Sequence, residues 1–319
     1  MSVSPLSRAD DIDPDVRSFI ERTSADFAAL STVAPPTNIT RQREIAEQVR
    51  APWASGGPDM AETRMVQVAP DGVRARIYIP TAGAGKGTLI YLHGGGWTLF
   101  SIDTHDRLMR EYAERIGCAV VGLDYSLSPE HRFPRALDDV DACIHWLRRN
   151  GTVYGLSVDR IAIGGDSAGG NLALSTALRL RDRGENLPAA LLLNYAALDT
   201  EPRPSYMRYD GEPYMLNIDE MLDFWINYLG KPTIDDPYAR PLLADFTGLP
   251  PVHLCVAECD ILADQNIELA DRLKTAGVEV SSVVYRGATH SFLEAVSISE
   301  CASRAIQDAS DWLARFLRA

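Results

Sequence analysis

From Thr88 to Leu317 short apolar runs of strand length alternate with longer stretches of helical spacing, and this alternation is the strongest constraint on the fold. The strand-like runs are Thr88–Leu92, Cys118–Leu123, Arg160–Gly164, Ala189–Asn194, Val252–Ala257 and Val278–Tyr285. Between and after them, Thr104–Ile116, Ala136–Arg149, Asn171–Arg183, Asp264–Ala276 and Ser297–Leu317 read as helices. Apolar strands separated by helices predict an α/β fold with a mostly parallel central sheet covered on both faces. Two further strands, Met65–Val68 and Val73–Pro80, precede it across a turn at Pro70-Asp71-Gly72.

Two segments break the rhythm. Val16, Phe19, Ile20, Phe27 and Leu30 recur at helical spacing, Ala34-Pro35-Pro36-Thr37 interrupts them, and Ile39–Val49 is a second, charged helix. The segment Ala51–Pro58 reads as a loop. From Thr200 to about Ala244 the chain is rich in Pro, Tyr, Met and Asp without a clear strand, which predicts an insertion with its own short helices. The division expected is N-terminal helices over 1–55 and a catalytic domain over 56–319, interrupted at about 200–244.

The chain carries 31 basic and 44 acidic residues, a net charge of −13, which argues against nucleic acid or an anionic membrane as partner. No apolar run has the length of a membrane span, and the first residues lack the apolar core of a secretory signal. The five cysteines are few, odd in number and mostly set in apolar segments, which suits reduced, buried thiols in a cytoplasmic protein. Cys255 and Cys259 have no second Cys/His pair at zinc spacing, so no metal is expected.

Chemistry enters at Gly165-Asp166-Ser167-Ala168-Gly169. The pattern G-x-S-x-G lets a chain turn sharply from strand to helix with serine at the apex. A chance match in a chain of this length arises about one time in ten. Here the strand Arg160–Gly164 precedes it and the helix from Asn171 follows, which disfavours a plain glycine-rich turn. His93-Gly94-Gly95-Gly96-Trp97 directly follows the strand Thr88–Leu92. Such a loop brings backbone N–H groups to an oxygen that gains negative charge in acyl transfer, and the expected donors are Gly94, Gly95 and Ala168. Neither a P-loop lysine nor G-x-G-x-x-G accompanies the glycines.

An acid and a base complete the set, in the order Ser, Asp/Glu, His. Of the two histidines after Ser167, His253 lies inside an apolar strand and reads as a core residue, whereas His290 follows the last strand in the loop after Arg286. Asp260 follows the strand Val252–Ala257 almost at once; Asp264 and Glu258 are lesser candidates. Ser167 as nucleophile, His290 as general base and Asp260 as its orienting acid would hydrolyse an ester without metal or organic cofactor.

HGGGW at His93–Trp97, DYSLSPEHRFP at Asp124–Pro134, GDSAGG at Gly165–Gly170, Asp260 and His290 together resemble the bacterial branch of the hormone-sensitive-lipase family of α/β-hydrolases. The resemblance covers roughly residues 50–319. It implies an α/β-hydrolase fold with a helical cap from the two irregular segments, the triad Ser167, Asp260 and His290, an oxyanion loop at His93–Gly96, and a preference for short acyl esters. Two departures stand out: Ile261 where proline often follows the acid, and Ser291 where glycine or alanine often follows the base. Glu130 and His131 are expected to be buried, hydrogen-bonded support. Trp97, Phe100, Tyr195, Tyr206, Met215, Leu216, Phe224 and Trp225 are candidate pocket residues, with Trp97 expected to shorten the acyl pocket. An amide, carbamate or lactone hydrolase would share these motifs. A non-catalytic binding module would not need all three catalytic groups. A homodimer is left open.

Overall fold

A computed structural model of the chain describes residues 11–35 and 38–318. Part of the expected helix break, Pro36-Thr37, and the first ten residues lie outside the described residues.

Eight strands form one sheet in the order β1-β2-β4-β3-β5-β6-β7-β8. They are β1 (Met60–Gln67), β2 (Arg74–Pro80), β3 (Thr88–Leu92), β4 (Ala119–Asp124), β5 (Ile161–Asp166), β6 (Leu191–Asn194), β7 (Val252–Cys259) and β8 (Val280–Thr289). Pairings of β1 with β2 and of β2 with β4 are antiparallel; the remaining strands run parallel. The expected α/β architecture is therefore present. Strand β3 shows why its sequence is apolar throughout: all five residues are buried, with Ile90 and Leu92 on one face and Leu89 and Tyr91 on the other.

The first face packs against α4 (Arg135–Asn150), α5 (Ala168–Asp182) and α8 (Ala263–Thr275). The second packs against α3 (Asp106–Ile116) and α9 (Glu300–Leu317), and α1 (Pro14–Val33) joins that core through Val16, Phe19 and Ile20. Helix α2 runs from Ile39 to Ala54, so the loop expected from Ala51 begins only at Ser55. Pro52 sits in the last turn, and Trp53 after it is buried edge-on against Phe19, 4.7 Å between ring centroids. That contact holds the turn where the proline signal alone predicts a stop. Between β6 and β7 lie α6 (Pro204–Arg208) and α7 (Ile218–Leu229), the latter opened by an Asn217/Glu220 capping box.

The crossing of the chain between β3 and β5 sets the site. From β3 the chain moves to β4 on one side and returns to β5 on the other, so the loops after β3 and β5 diverge from adjacent strands. Such a switch point leaves a crevice at the carboxyl ends of the strands.

His253 is a core residue of β7, with Nδ1 3.0 Å from Ser281 Oγ on β8 and its ring 5.5 Å from that of Trp312. Burial pushes its pKa down from 6.5 to about 4. The unfolded chain therefore binds a proton in this window that the folded chain refuses. The stability present above pH 6.5 is lost as pH falls towards 4, at no more than about 1.4 kcal/mol per pH unit for this group. Urea unfolding at pH 7 and pH 5 is expected to show the wild type losing about 1–2 kcal/mol more than His253→Leu over that interval.

Candidate active site

The turn after β5 places Ser167 at φ +52° and ψ −116°, between strand and helix. Its two flanking glycines are required by space. A Cβ on Gly165 or on Gly169 would overlap the carbonyl oxygen of Leu92 at the end of β3. The turn therefore closes onto the neighbouring strand, and only hydrogen at these two positions permits it.

His290 comes directly after β8, which extends to Thr289; the segment Arg286–Thr289 expected as loop is strand. Its Nε2 accepts from Ser167 Oγ at 2.9 Å, and its Nδ1 donates to Asp260 Oδ2 at 2.7 Å. Asp260 follows β7 and its other oxygen accepts from the Leu262 N–H at 2.9 Å. All three side chains are buried. The lesser acid candidates are engaged elsewhere: Asp264 accepts from the Ser205 N–H at 2.8 Å and Glu258 from the Gly287 N–H at 2.9 Å. Ser291, at the position where glycine is frequent, has φ +61°, a left-handed conformation that any residue but glycine adopts at a cost of about 1–2 kcal/mol.

The loop after β3 faces the same site. Gly95 and Gly96 line a cavity of about 410 Å³ together with Ser167 and His290. Among the described residues neither N–H has a hydrogen-bond acceptor. Ala168 opens α5, where the first N–H groups of a helix have no partner within it. The expected donor Gly94 is a correction: its nitrogen lies 3.4 Å from His105 Nε2, and a Cβ there would overlap the Asp166 carboxylate. Gly95, Gly96 and Ala168 are the N–H groups that border the serine. His93 orients them. Its Nδ1–H donates to the Gly94 carbonyl at 2.7 Å, and in a trans peptide that turns the Gly95 N–H the opposite way. Burial, then the neighbouring His105 charge, pushes the His93 pKa down to about 3, so the ring stays neutral.

A buried pair behind the serine escapes sequence reading. Asp166 Oδ2 lies 3.3 Å from His105 Nε2, and its Oδ1 accepts from Tyr91 Oη at 3.0 Å. Burial opposes charge on both, but their mutual attraction outweighs it, leaving the His105 pKa raised and that of Asp166 lowered. The only hint is that Asp166 lies inside the serine motif itself.

The pocket expectations divide. Phe100, Met215, Leu216 and Phe224 line the cavity. Trp97, Tyr195, Tyr206 and Trp225 do not. Trp97 is fully buried and stacks on Tyr228 of α7 at 4.3 Å, in contact with Trp225, so it belongs to the core and does not shorten an acyl pocket. Tyr195 packs its ring edge-on to His290 at 5.0 Å, and Tyr206 Oη accepts from Gln265 Nε2 at 3.3 Å. Wall residues not anticipated come from α1 and α2, among them Phe27, Val49 and Arg50, and from α7, including Glu220. Glu130 and His131 are exposed, contrary to expectation. Glu130 accepts two hydrogen bonds from Arg43 of α2, which also donates to the carbonyls of Thr98 and Ser128.

A family model described as alpha/beta hydrolase fold matches residues 89–294. An acetyl esterase of Salmonella paratyphi B is 34% identical over 277 residues, 85% of each chain. The chain belongs to the α/β-hydrolase family, in its hormone-sensitive-lipase-like branch. Its fold is similar to that of a hyperthermophilic esterase from Pyrobaculum calidifontis, with TM-score 0.87, 33% identity, and coverage of 97% of this chain and 99% of that one. A second solved relative, an esterase from the bacterial hormone-sensitive lipase family, has TM-score 0.83 and 29% identity over 99% of this chain and 100% of its own. This α/β-hydrolase is thus a carboxylic ester hydrolase. Among the described residues no helix is long and apolar enough to cross a membrane, and the five cysteines are buried free thiols.

Removing the His93 ring frees the Gly94 carbonyl and lets the loop peptide rotate. For His93→Ala, steady-state kinetics are expected to show kcat down by roughly 10–100-fold with KM little changed, because the affected donors act most strongly on the transition state.

Proposed function

We propose that this ester hydrolase works through a Ser167–His290–Asp260 triad and an acyl-enzyme, with a preference for short acyl chains. The hydrogen-bonded chain from Ser167 Oγ through His290 to Asp260, beside the free N–H groups of Gly95 and Gly96, carries the proposal. Ser167 Oγ attacks the ester carbonyl while His290 Nε2 takes its proton. The carbonyl oxygen becomes an oxyanion between the N–H groups of Gly95, Gly96 and Ala168. His290 returns the proton to the departing alcohol, and Asp260 stabilises the imidazolium. A water activated by His290 then releases the acid and restores the serine.

The helices α1, α2 and α7 act as the cap and supply about half of the cavity wall. At about 410 Å³ the cavity lies towards the small end of ligand sites, which supports short acyl chains. The relatives named acetyl esterase agree in substrate class. Hydrolysis of p-nitrophenyl esters from acetate to palmitate tests this. Rates are expected to peak at the short esters. A maximum at the long-chain end would overturn the size argument, and inactivity on every ester would turn attention to amides, carbamates and lactones.

A further inference from the structure

The cavity wall formed by α1 and α2 includes a charged side chain, Arg50, that is only 5% exposed. An arginine is buried to this degree when its charge and its donors find partners. The charge is balanced: Nε lies 3.3 Å from Glu294 Oε2, and Glu294 is equally buried in the turn that follows His290. Aromatic rings flank the guanidinium, with Phe19 and Phe100 each 5.1 Å from it. The donors are not all used. Nη1 is buried and has no hydrogen-bond partner among the described residues, and neither oxygen of Glu294 has one. For stability alone, a well-packed apolar pair would serve as well as this ion pair or better.

We propose that Arg50 determines specificity by donating from the part of its guanidinium that meets the cavity to an oxygen of the substrate portion lying under α1 and α2. Glu294 already neutralises the guanidinium, so that oxygen is a neutral one, a carbonyl, ether or hydroxyl. A carboxylate would leave this apolar wall with a net negative charge. The preferred substrates are then short esters carrying a second, uncharged oxygen. The assignment rests on the esterase reading of the site and names the class of ester it takes.

Two matched pairs of esters test it. p-Nitrophenyl levulinate against p-nitrophenyl pentanoate places the extra oxygen on the acyl side. Methoxyethyl acetate against butyl acetate places it on the alcohol side. In one of the pairs kcat/KM of the wild type is expected to favour the oxygen-bearing member about tenfold, the effect of one hydrogen bond from a charged donor. The mono-p-nitrophenyl ester of glutaric acid, with its carboxylate, is expected to fall below the levulinate. Arg50→Met combined with Glu294→Gln removes the donor without stranding a buried carboxylate, and should bring the ratio to about one. Arg50→Lys keeps the charge but loses the planar fork, and should lower the ratio if the double variant does not fold. Ratios of one in both pairs for the wild type, a ratio unchanged in the variants, or a preference for the carboxylate would each overturn the assignment while the esterase reading stands. Inactivity on all of these esters would overturn the esterase reading and the Arg50 assignment with it.

Discussion

Ser167→Ala lowers kcat/KM on short esters by roughly 10⁴–10⁶-fold and leaves the fold intact. The first half follows from the geometry: without Oγ the 2.9 Å contact to His290 Nε2 has no nucleophile in it. The second half follows from the backbone. Ser167 is held by its main chain, with its N–H on the Asn194 carbonyl at 2.9 Å and its own carbonyl accepting from the N–H groups of Asn171 and Ala197. Alanine keeps all three bonds and the same Cβ, so the thermal midpoint should stay within a few degrees. The triad members act as a unit, so His290→Ala, and the double variant, should reach nearly the same floor rather than multiply their losses. Steady-state kinetics on p-nitrophenyl butyrate with thermal melts check both halves.

Asp260→Asn is the second large effect. Two N–H donors converge on this carboxylate, His290 Nδ1 at one oxygen and Leu262 N at the other. Asparagine offers one acceptor and one donor in the same outline. If its NH₂ faces His290, the imidazole carries its proton on Nε2 and presents that to Ser167 in place of a lone pair. If it faces Leu262, the loop after β7 must shift. Either way the base is lost, and kcat should fall by roughly 10³–10⁴-fold with little change in KM. Asp264→Asn is the control, because its carboxylate bonds the Ser205 N–H and not the triad. It should alter stability more than kcat.

The range of each interaction decides how much of this site is legible in the sequence. The elbow is legible because strand, turn and helix are contiguous, and the two glycines answer a local need, the approach to Leu92 at the end of β3. Asp260 and His290 are legible because parallel strands bring the residues at their carboxyl ends to one edge of the sheet. The sequence does not reveal which way a peptide faces. Gly94 and Gly95 look alike in the motif, yet Gly94 is turned towards Asp166 and His105 while Gly95 borders the cavity. Nor does it reveal which aromatic ring enters the pocket. Trp97 adjoins the oxyanion glycines, but its φ of +57° and its stack on Tyr228 carry it into the core. Phe27 and Arg50 line the site only because α1 and α2 fold over it, a contact that no short-range pattern encodes. The exposure of Glu130 is of the same kind: its partner, Arg43, comes from α2.

The central claim is that Ser167 carries the acyl group between the two half-reactions. Rapid acid quenching of the protein mixed with p-nitrophenyl acetate, with mass analysis of its peptides, tests that directly. One acetyl group on the peptide containing Ser167, absent from Ser167→Ala, is the result predicted. Turnover of the ester by an active wild type without acetylation of Ser167, or with the label on another residue that survives the Ser167→Ala change, would contradict it.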